Sequence, residues 1–208
     1  MPTKPSGKER LPASGVAPSR NLSILLLTPQ KIEYPKIDAT LVKRATDVVK
    51  LAEKCRCSIV TAESCTGGLL AAVLAEVPGA GKQLQGGFVT YTKDQKTIAL
   101  GIPRALLERE SAVSEAVARA MAEGALGRSI ADLSVSITGV AGPESDEDGN
   151  PVGLVHIAAS GRTGATLHQE HRFGDIGRGE VLYQTVMAGL DLLERCATGG
   201  RDRARAAE

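Results

Sequence analysis

The chain has almost no aromatic side chains and few cysteines. Its 208 residues include no tryptophan, two phenylalanines, three tyrosines and four cysteines. A chain of this length with 42% hydrophobic residues can bury an aliphatic core, so it does not need a disulfide framework. Cys55 and Cys57 are separated by a single residue, which is too close for the usual pair of zinc ligands. We therefore expect neither disulfides nor a bound metal.

The chain also lacks an excess of charge and any long apolar run. Lysine and arginine number 25 against 24 aspartates and glutamates, so the net charge is +1. Nucleic-acid-binding proteins usually carry a clear basic excess, so nucleic acid is not an expected partner. No apolar run approaches the roughly 18 residues of a membrane helix, and no signal peptide opens the chain. These absences predict a cytoplasmic protein without a membrane partner.

Composition divides the chain into three parts. Residues 1–37 are rich in Pro, Ser, Gly and basic residues, which predicts a poorly ordered extension because such a segment buries little apolar surface. Residues 38–197 alternate between helical and extended patterns and predict a single domain. Residues 198–208 form a charged tail.

Hydrophobic spacing predicts six helices and five strands within this domain. The helices are expected at 37–54, 66–76, 93–100, 104–109, 114–126 and 177–197. The strands are expected at 58–62, 86–92, 131–138, 153–160 and 165–173, and the glycines at Gly161 and Gly164 predict a hairpin between the last two. Because helices and strands alternate, we expect a three-layer α/β/α domain with a mixed central sheet.

A turn between the first strand and the second helix carries the strongest chemical signal. It contains a carboxylate, two hydroxyls, a thiol and two glycines: Glu63, Ser64, Cys65, Thr66, Gly67 and Gly68. The first backbone N–H groups of a helix have no intrahelical acceptor, and glycine lets a ligand approach the backbone closely. The turn is therefore suited to a nucleophile beside an oxyanion site, or to a phosphate cradle.

Each candidate nucleophile in the turn also has a structural interpretation. The hydroxyl of Ser64 is a typical helix N-cap, unless Thr66 takes that position and leaves Ser64 free. Cys65 is a rival nucleophile, because a helix N-terminus lowers a thiol pKa, or else a small buried apolar residue. The sequence pattern leaves these alternatives open.

A lysine is the expected base. His156 lies inside a predicted strand, and His168 and His171 lie on a hairpin arm, so a histidine-dependent triad is not favoured. Tyr91 ends the second predicted strand and Lys96 lies about one turn beyond it, at the sheet edge where strand ends gather. A partly desolvated, neutral lysine can activate a serine, although a solvated helix position is the alternative for Lys96.

Several strings, in order, resemble the CinA C-terminal domain family. They are Thr61–Gly68 (TAESCTGG), Gly87–Thr92 (GFVTYT), Ala112–Glu115 (AVSE), Ile137–Pro143 (ITGVAGP) and Pro151–Gly153 (PVG). The resemblance covers residues 41–193 and implies hydrolysis of nicotinamide mononucleotide to nicotinate mononucleotide and ammonia, without a metal or cofactor. The family's serine nucleophile matches Ser64, and its tyrosine and lysine match Tyr91 and Lys96. The resemblance also implies a homo-oligomer, with a dimer favoured.

This sequence departs from the family pattern in three places. Lys93 stands where the family usually has asparagine, which makes Lys93 an alternative to Lys96. Residues 144–150 are acidic where the family is glycine-rich and often basic, and acidic groups disfavour a phosphorylated substrate. The Gly174–Arg178 stretch resembles the Gly-Asp-Arg sequence with which the family enters its last helix, but Arg178 is displaced from the family's arginine position. Larger members carry a further N-terminal domain, and residues 1–37 are too short for it, so we expect a stand-alone copy.

The resulting hypothesis is acyl-transfer hydrolysis of a small pyridine nucleotide. Ser64 attacks the carboxamide carbon, and Lys96, assisted by Tyr91, takes the serine proton. The expected substrate-binding residues are Glu63, Thr66, Gly67, Gly68, Gly139, Ala141, Gly142 and Arg178, with Arg172 as a further candidate for the phosphate. The alternative is a non-catalytic nucleotide-binding or interaction module in DNA uptake or damage response.

Overall fold

The computed structural model describes residues 34–162 and 164–206, with side chains up to residue 199. The predicted extension at residues 1–37 therefore lies almost wholly outside the described residues. Residues 34–38 form neither helix nor strand. No helix within the described ranges is both long and apolar enough to cross a bilayer.

The described residues form six α-helices and five strands. The helices are α1 (Ala39–Cys55), α2 (Leu69–Ala75), α3 (Lys93–Leu100), α4 (Arg104–Glu110), α5 (Glu115–Gly127) and α6 (Arg178–Ala206). The strands are β1 (Ile59–Glu63), β2 (Leu84–Val89), β3 (Leu133–Gly139), β4 (Leu154–Gly161) and β5 (Leu167–Arg172). A short 3₁₀ turn, Ala80–Lys82, precedes β2.

The five strands form one sheet in the order β2-β1-β3-β4-β5. Strand β1 runs parallel to both β2 and β3, whereas β4 is antiparallel to both β3 and β5. This arrangement confirms the mixed sheet and the hairpin expected from the sequence.

Helices cover both faces of the sheet, which confirms the three-layer architecture. Aliphatic side chains of α1, α2 and α6 form a cluster on one face, including Leu41, Leu70 and Leu190. Side chains of α3, α4 and α5 form a second cluster on the other face, including Leu100, Leu107 and Met121. The sheet is therefore buried on both faces, as parallel sheets generally are.

Three parallel strands end at the same edge of the sheet. Glu63, the last residue of β1, is paired with Val89 of β2 and with Ile137 of β3. The segments after these strands therefore meet, which is where α/β proteins usually bind ligands.

Two element boundaries near this edge differ from the predicted ones. Helix α2 begins at Leu69, later than the predicted residue 66, because Gly67 and Gly68 adopt φ values of +60° and +99° that no helix contains. Strand β2 ends at Val89, before the predicted residue 92. At the other end of the chain, α6 continues past the predicted residue 197 to Ala206.

Candidate active site

Glu63 caps helix α2. Its carboxylate accepts hydrogen bonds from the backbone N–H groups of Leu70 and Ala71, both at 2.9 Å, and from the Thr61 hydroxyl at 3.0 Å. The side chain is fully buried and does not line a cavity that contains Ser64. We expected Glu63 to contact substrate, but its oxygens are instead occupied by the helix. Neither Ser64 nor Thr66 is needed as a cap.

The hydroxyl of Ser64 contacts a buried lysine. The Nζ atom of Lys96, the fourth residue of α3, donates to Ser64 Oγ at 2.8 Å and to the Thr90 carbonyl at 3.1 Å. Thr92 caps the start of α3 through a bond from the Gln95 N–H to its hydroxyl. The lysine side chain therefore extends from a fixed helix start toward the turn after β1.

Burial changes the protonation of this lysine. Lys96 is only 1% exposed, and this burial is the main reason that its pKa is lowered to about 8. The positive charge of Lys93 acts in the same direction. With this pKa about a tenth of Lys96 is neutral at pH 7, and more as the pH rises. A neutral amine can accept the Ser64 proton across the same contact.

Burial shifts the pKa of Cys65 in the opposite direction from that of Lys96. Burial raises the pKa of its thiol to about 12, so the thiol stays protonated at neutral pH. A thiolate is the reactive form of cysteine. The protonated thiol and the contact between Lys96 Nζ and Ser64 Oγ together favour Ser64 over Cys65 as the nucleophile, a choice that the sequence pattern leaves open.

Ser64, Cys65 and Lys96 line a cavity of about 600 Å³, which we call the Ser64 cavity. Its lining includes residues 91–94, which follow β2, and residues 138–142 at the end of β3 and just after it. Gly139, Ala141, Gly142 and Arg178, all expected to bind substrate, belong to this lining. A Cβ at Gly139 would lie 2.7 Å from the carbonyl oxygen of Leu154, so the wall cannot accept a larger residue there without a shift.

Three other expected binding residues line a different cavity. Thr66, Gly67 and Gly68 border a space of about 540 Å³, which we call the second cavity. Cys65, Tyr91 and Arg178 line both spaces, so the turn after β1 lies between them. The Gly67 N–H donates to the Ser64 carbonyl at 3.0 Å and is not free for an oxyanion.

Residues 42–197 match the model of the CinA C-terminal domain. The chain belongs to this family. It is 42% identical over 195 residues to a CinA-like protein of Parasynechococcus marenigrum (strain WH8102), an alignment covering 90% of this chain and 46% of that protein. A CinA-like protein of Mycolicibacterium vanbaalenii is 43% identical over 143 residues, or 69% of this chain and 34% of that protein. The chain thus spans less than half the length of these curated relatives.

Solved structures of CinA-family proteins share the fold. A competence/damage inducible protein from Agrobacterium tumefaciens is 41% identical, with a TM-score of 0.73. The alignment covers 79% of this chain and 98% of that chain. A CinA superfamily protein from Escherichia coli is 36% identical, with a TM-score of 0.70 and coverage of 77% and 94%.

Tyr91 lies at the mouth of the site in this CinA-family chain. It follows β2 and is 62% exposed, and it borders both cavities. Within the part of the chain that the structure describes, it makes no hydrogen bond to Lys96. Its assistance in proton transfer stays a prediction.

Lys93, the alternative base, is held by the acidic loop. Its ammonium pairs with Glu147 at 2.7 Å and Asp148 at 3.1 Å, and hydrogen bonds to these two carboxylates raise its pKa. Lys93 is therefore protonated at neutral pH and is poorly suited to accept a proton. The structure favours Lys96 as the base.

A serine that the sequence reasoning missed anchors this loop. Ser111 donates from its hydroxyl to Asp148 at 2.7 Å and accepts from the Asn150 side-chain amide at 3.0 Å. Its φ of +67° is uncommon for a residue with a Cβ. A serine between two helices carries no sequence signal for a contact 37 residues along the chain.

The two arginines proposed for the phosphate lie in different places. Arg178 donates to the Gly142 carbonyl at 2.9 Å and lines both cavities. Arg172 is on β5, where it pairs with Glu170 at 2.6 Å, and it lines neither cavity. Position alone therefore favours Arg178.

The histidines do not take part in the site. His156 and His168 share a hydrogen bond of 3.1 Å on the antiparallel strands, and none of the three histidines lines either cavity. Among residues 34–162 and 164–206, no group of three or more His, Cys, Asp or Glu side chains is placed to hold a metal ion.

Proposed function

We propose that this chain is a serine amidohydrolase that converts nicotinamide mononucleotide to nicotinate mononucleotide and ammonia. The observation that carries the proposal is the 2.8 Å contact between Ser64 Oγ and the Nζ atom of the buried Lys96. A hydroxyl beside a lysine whose pKa is lowered to about 8 is a nucleophile paired with its base. Membership of the CinA C-terminal domain family supports the choice of substrate.

The first half of the reaction forms an ester. Ser64 Oγ attacks the carboxamide carbon while neutral Lys96 accepts the hydroxyl proton. The carbonyl oxygen becomes an oxyanion, and backbone N–H groups near it would stabilise the transition state by about 2.7–4 kcal/mol per donor. In the turn, the amides of Thr66 and Gly68 have no acceptor among the described residues and are the candidates. Protonated Lys96 then returns its proton to the departing nitrogen, and ammonia leaves.

The second half hydrolyses this ester. Water attacks the acyl carbon, and Lys96 accepts one of its protons. The tetrahedral intermediate collapses, Ser64 leaves as an alkoxide, and Lys96 protonates it. Nicotinate mononucleotide is released with the serine and the neutral lysine restored, so the cycle needs no further cofactor.

A second candidate function is a nucleotide-binding module without turnover, linked to competence or DNA damage. The observation that favours it is the acidic loop, whose residues Glu144, Asp146, Glu147 and Asp148 line the Ser64 cavity. Carboxylates repel a phosphate, so they would keep the phosphate of a bound nucleotide away from this cavity and disfavour turnover at Ser64. The name of the Agrobacterium tumefaciens relative, a competence/damage inducible protein, agrees with this alternative.

Ammonia release from nicotinamide mononucleotide distinguishes the two functions. We expect Ser64→Ala to reduce turnover by at least about 10³-fold, as loss of a nucleophile does. Cys65→Ala, the neighbouring control, keeps most of the activity because the thiol is protonated. The opposite pattern would mean that the thiol is the nucleophile. Saturable binding of the nucleotide without ammonia release would establish the binding module instead.

A further inference from the structure

Two buried histidines join the strands of the β4–β5 hairpin. His156 of β4 is 7% exposed, and the side chain of His168 of β5 is 10% exposed. The Nδ1 atom of His156 lies 3.1 Å from Nε2 of His168. The other ring nitrogen of His168, Nδ1, lies 3.5 Å from Oε2 of Glu115, the first residue of α5. We call His156 and His168 the histidine pair, and it connects the hairpin to the start of α5.

These contacts fix where the hydrogens lie when both rings are neutral. A neutral imidazole has one N–H donor and one bare nitrogen that accepts. Because Nδ1 of His168 faces a carboxylate, it carries the hydrogen, and Nε2 of His168 is the acceptor. Nδ1 of His156 is therefore the donor between the rings. Nε2 of His156 is left bare, 4.0 Å from Oε2 of Glu170.

This geometry lets the pair bind one proton but opposes a second. The first proton binds to Nε2 of His156, which faces the Glu170 carboxylate, and leaves the hydrogen bond between the rings intact. A second proton must bind to Nε2 of His168, toward which the Nδ1–H of His156 already points. Two N–H groups on two cations would then face each other across 3.1 Å, so the rings must separate.

Burial lowers the pKa of both histidines of the pair and is the largest influence on each. Charged groups of α5 and β5 act in both directions: Glu115 and Glu170 favour the protonated form, whereas Arg119, Arg172 and the neighbouring His171 oppose it. Because the unfolded chain binds these protons more tightly, the contribution of the neutral pair to stability is complete at neutral pH. It should decrease as the pH falls below about 6.5.

The histidine pair is connected to the wall of the Ser64 cavity. His156 is the cross-strand neighbour of Thr138 in β3. The Thr138 hydroxyl donates to the Ala112 carbonyl at 2.7 Å, and Thr138, Ala112 and Val113 all line the Ser64 cavity. Glu115, which contacts the pair, follows two residues after Val113. A movement of the pair therefore reaches the cavity both across the sheet and along the chain.

We propose that the histidine pair is an acid-sensitive switch, in which binding of a second proton separates β5 from α5 and loosens this wall of the Ser64 cavity. Strand β5 is at the edge of the described sheet, so it can move while β1, β2 and β3 keep their pairing. This regulation goes beyond the proposed hydrolysis, because it changes the cavity whatever the cavity binds.

Nitrogen-15 NMR of the full chain tests the order of protonation. The chain contains only three histidines, so the ring signals can be assigned with His156→Gln, His168→Gln and His171→Gln. At neutral pH we expect both rings of the pair to carry hydrogen on Nδ1. On acidification the pair should bind its protons in two steps more than about one pH unit apart, His156 first. An Nε2–H tautomer in either ring at neutral pH, or a single step for both rings, would show that the proposal is wrong.

Hydrogen exchange tests the movement itself. Once the second proton has bound, the amides of β5 and of residues 112–116 should exchange at least about tenfold faster, after correction for the intrinsic pH dependence of exchange. His168→Gln should keep these amides protected at the same pH, because its side-chain amide can bond to His156 but cannot bind the second proton. His171→Gln is the matched control. His171 lies on the same strand outside the pair, with its ring stacked on Phe173, so this variant should open like the wild type.

Exchange in the central strand β1 separates a local switch from acid unfolding. We expect β1 to stay protected while β5 opens. The switch is absent if β5 stays protected after the second step, if His168→Gln opens like the wild type, or if β1 and β5 lose protection together. None of these measurements depends on hydrolysis at Ser64, so a failure of the proposed function would leave them unchanged.

Discussion

Lys96 shows how burial creates a base from a residue that is normally cationic. Its pKa of about 8 lies below the ordinary value of 10.5, so the folded protein favours the neutral form. The charged form therefore destabilises the fold at neutral pH. Because the unfolded chain binds the proton more tightly, the free energy of unfolding should rise as pH increases from about 8 to 10.5. The same burial that costs stability provides the proton acceptor.

The first residue-scale prediction concerns the pH dependence of turnover. Only neutral Lys96 accepts a proton, so kcat/KM should increase about tenfold per pH unit below 8 and level off above it. Lys93→Ala should move the midpoint to higher pH, since it removes a positive charge that lowers the Lys96 pKa. A pH–rate profile of each protein is the measurement, with the exposed Lys50→Ala as control.

The Lys96→Arg variant tests which lysine is the base. The guanidinium group stays protonated, so this variant should fold, as checked by circular dichroism, and lose hydrolysis. If it turns over normally while Lys93→Ala is inactive, the base is Lys93. If both variants are active, neither lysine is the base.

At the scale of elements, the short helix α2 depends on a residue outside it. Its N-cap is Gly68, which has no side chain to cap the helix, and the carboxylate of Glu63 binds two of its first N–H groups instead. Because Glu63 ends β1 and Ser64 follows it directly, this capping also fixes the position of the nucleophile. The helix, the strand end and Ser64 form one unit.

Glu63→Gln tests this coupling. The amide nitrogen would face a backbone donor, so we expect the free energy of unfolding to fall by about 1–3 kcal/mol. Turnover should fall too, because Ser64 is adjacent. Urea denaturation at pH 7 measures the first effect. Glu53→Gln, at an exposed position of α1, should change stability by less than about 0.5 kcal/mol. Equal stability of both variants would contradict the capping role.

At the scale of the whole molecule, the core lies within the domain itself. The two aliphatic clusters on the faces of the sheet are built from residues 41–197. The composition of residues 1–20 predicts that they contribute nothing comparable, and these residues lie outside the described part of the chain.

Deletion of residues 1–20 tests this expectation. We expect the melting temperature to change by less than about 2 °C, since a segment that buries little apolar surface contributes little stability. Differential scanning calorimetry of the full and shortened chains makes the comparison. A drop of many degrees would show that the segment packs against the domain or another chain.

The sequence predicted the elements well because their signals are local. Leu41, Val48 and Val49 follow a helical spacing, and the β-branched residues of β1 favour a strand. The glycines marked the turn after β1 but did not locate the start of α2, because the choice between a helical and a left-handed conformation at Gly67 and Gly68 depends on what the neighbouring strands require. Boundaries are set by such contacts and are less predictable than the elements themselves.

By itself, the sequence determined the family, the mixed α/β architecture and a short set of candidate reactive side chains that includes Ser64 and Lys96. Tertiary structure decided their chemistry. Residues 32 positions apart become hydrogen-bonded only because β1 and β2 end together, and the pKa values of Lys96 and Cys65 depend on burial that packing alone produces. Tertiary structure also placed the Glu63 carboxylate against the N–H groups of α2 and the Lys93 ammonium against Glu147 and Asp148. A charged group binds the nearest donor or opposite charge in space, and the order of residues along the chain does not show which group that is.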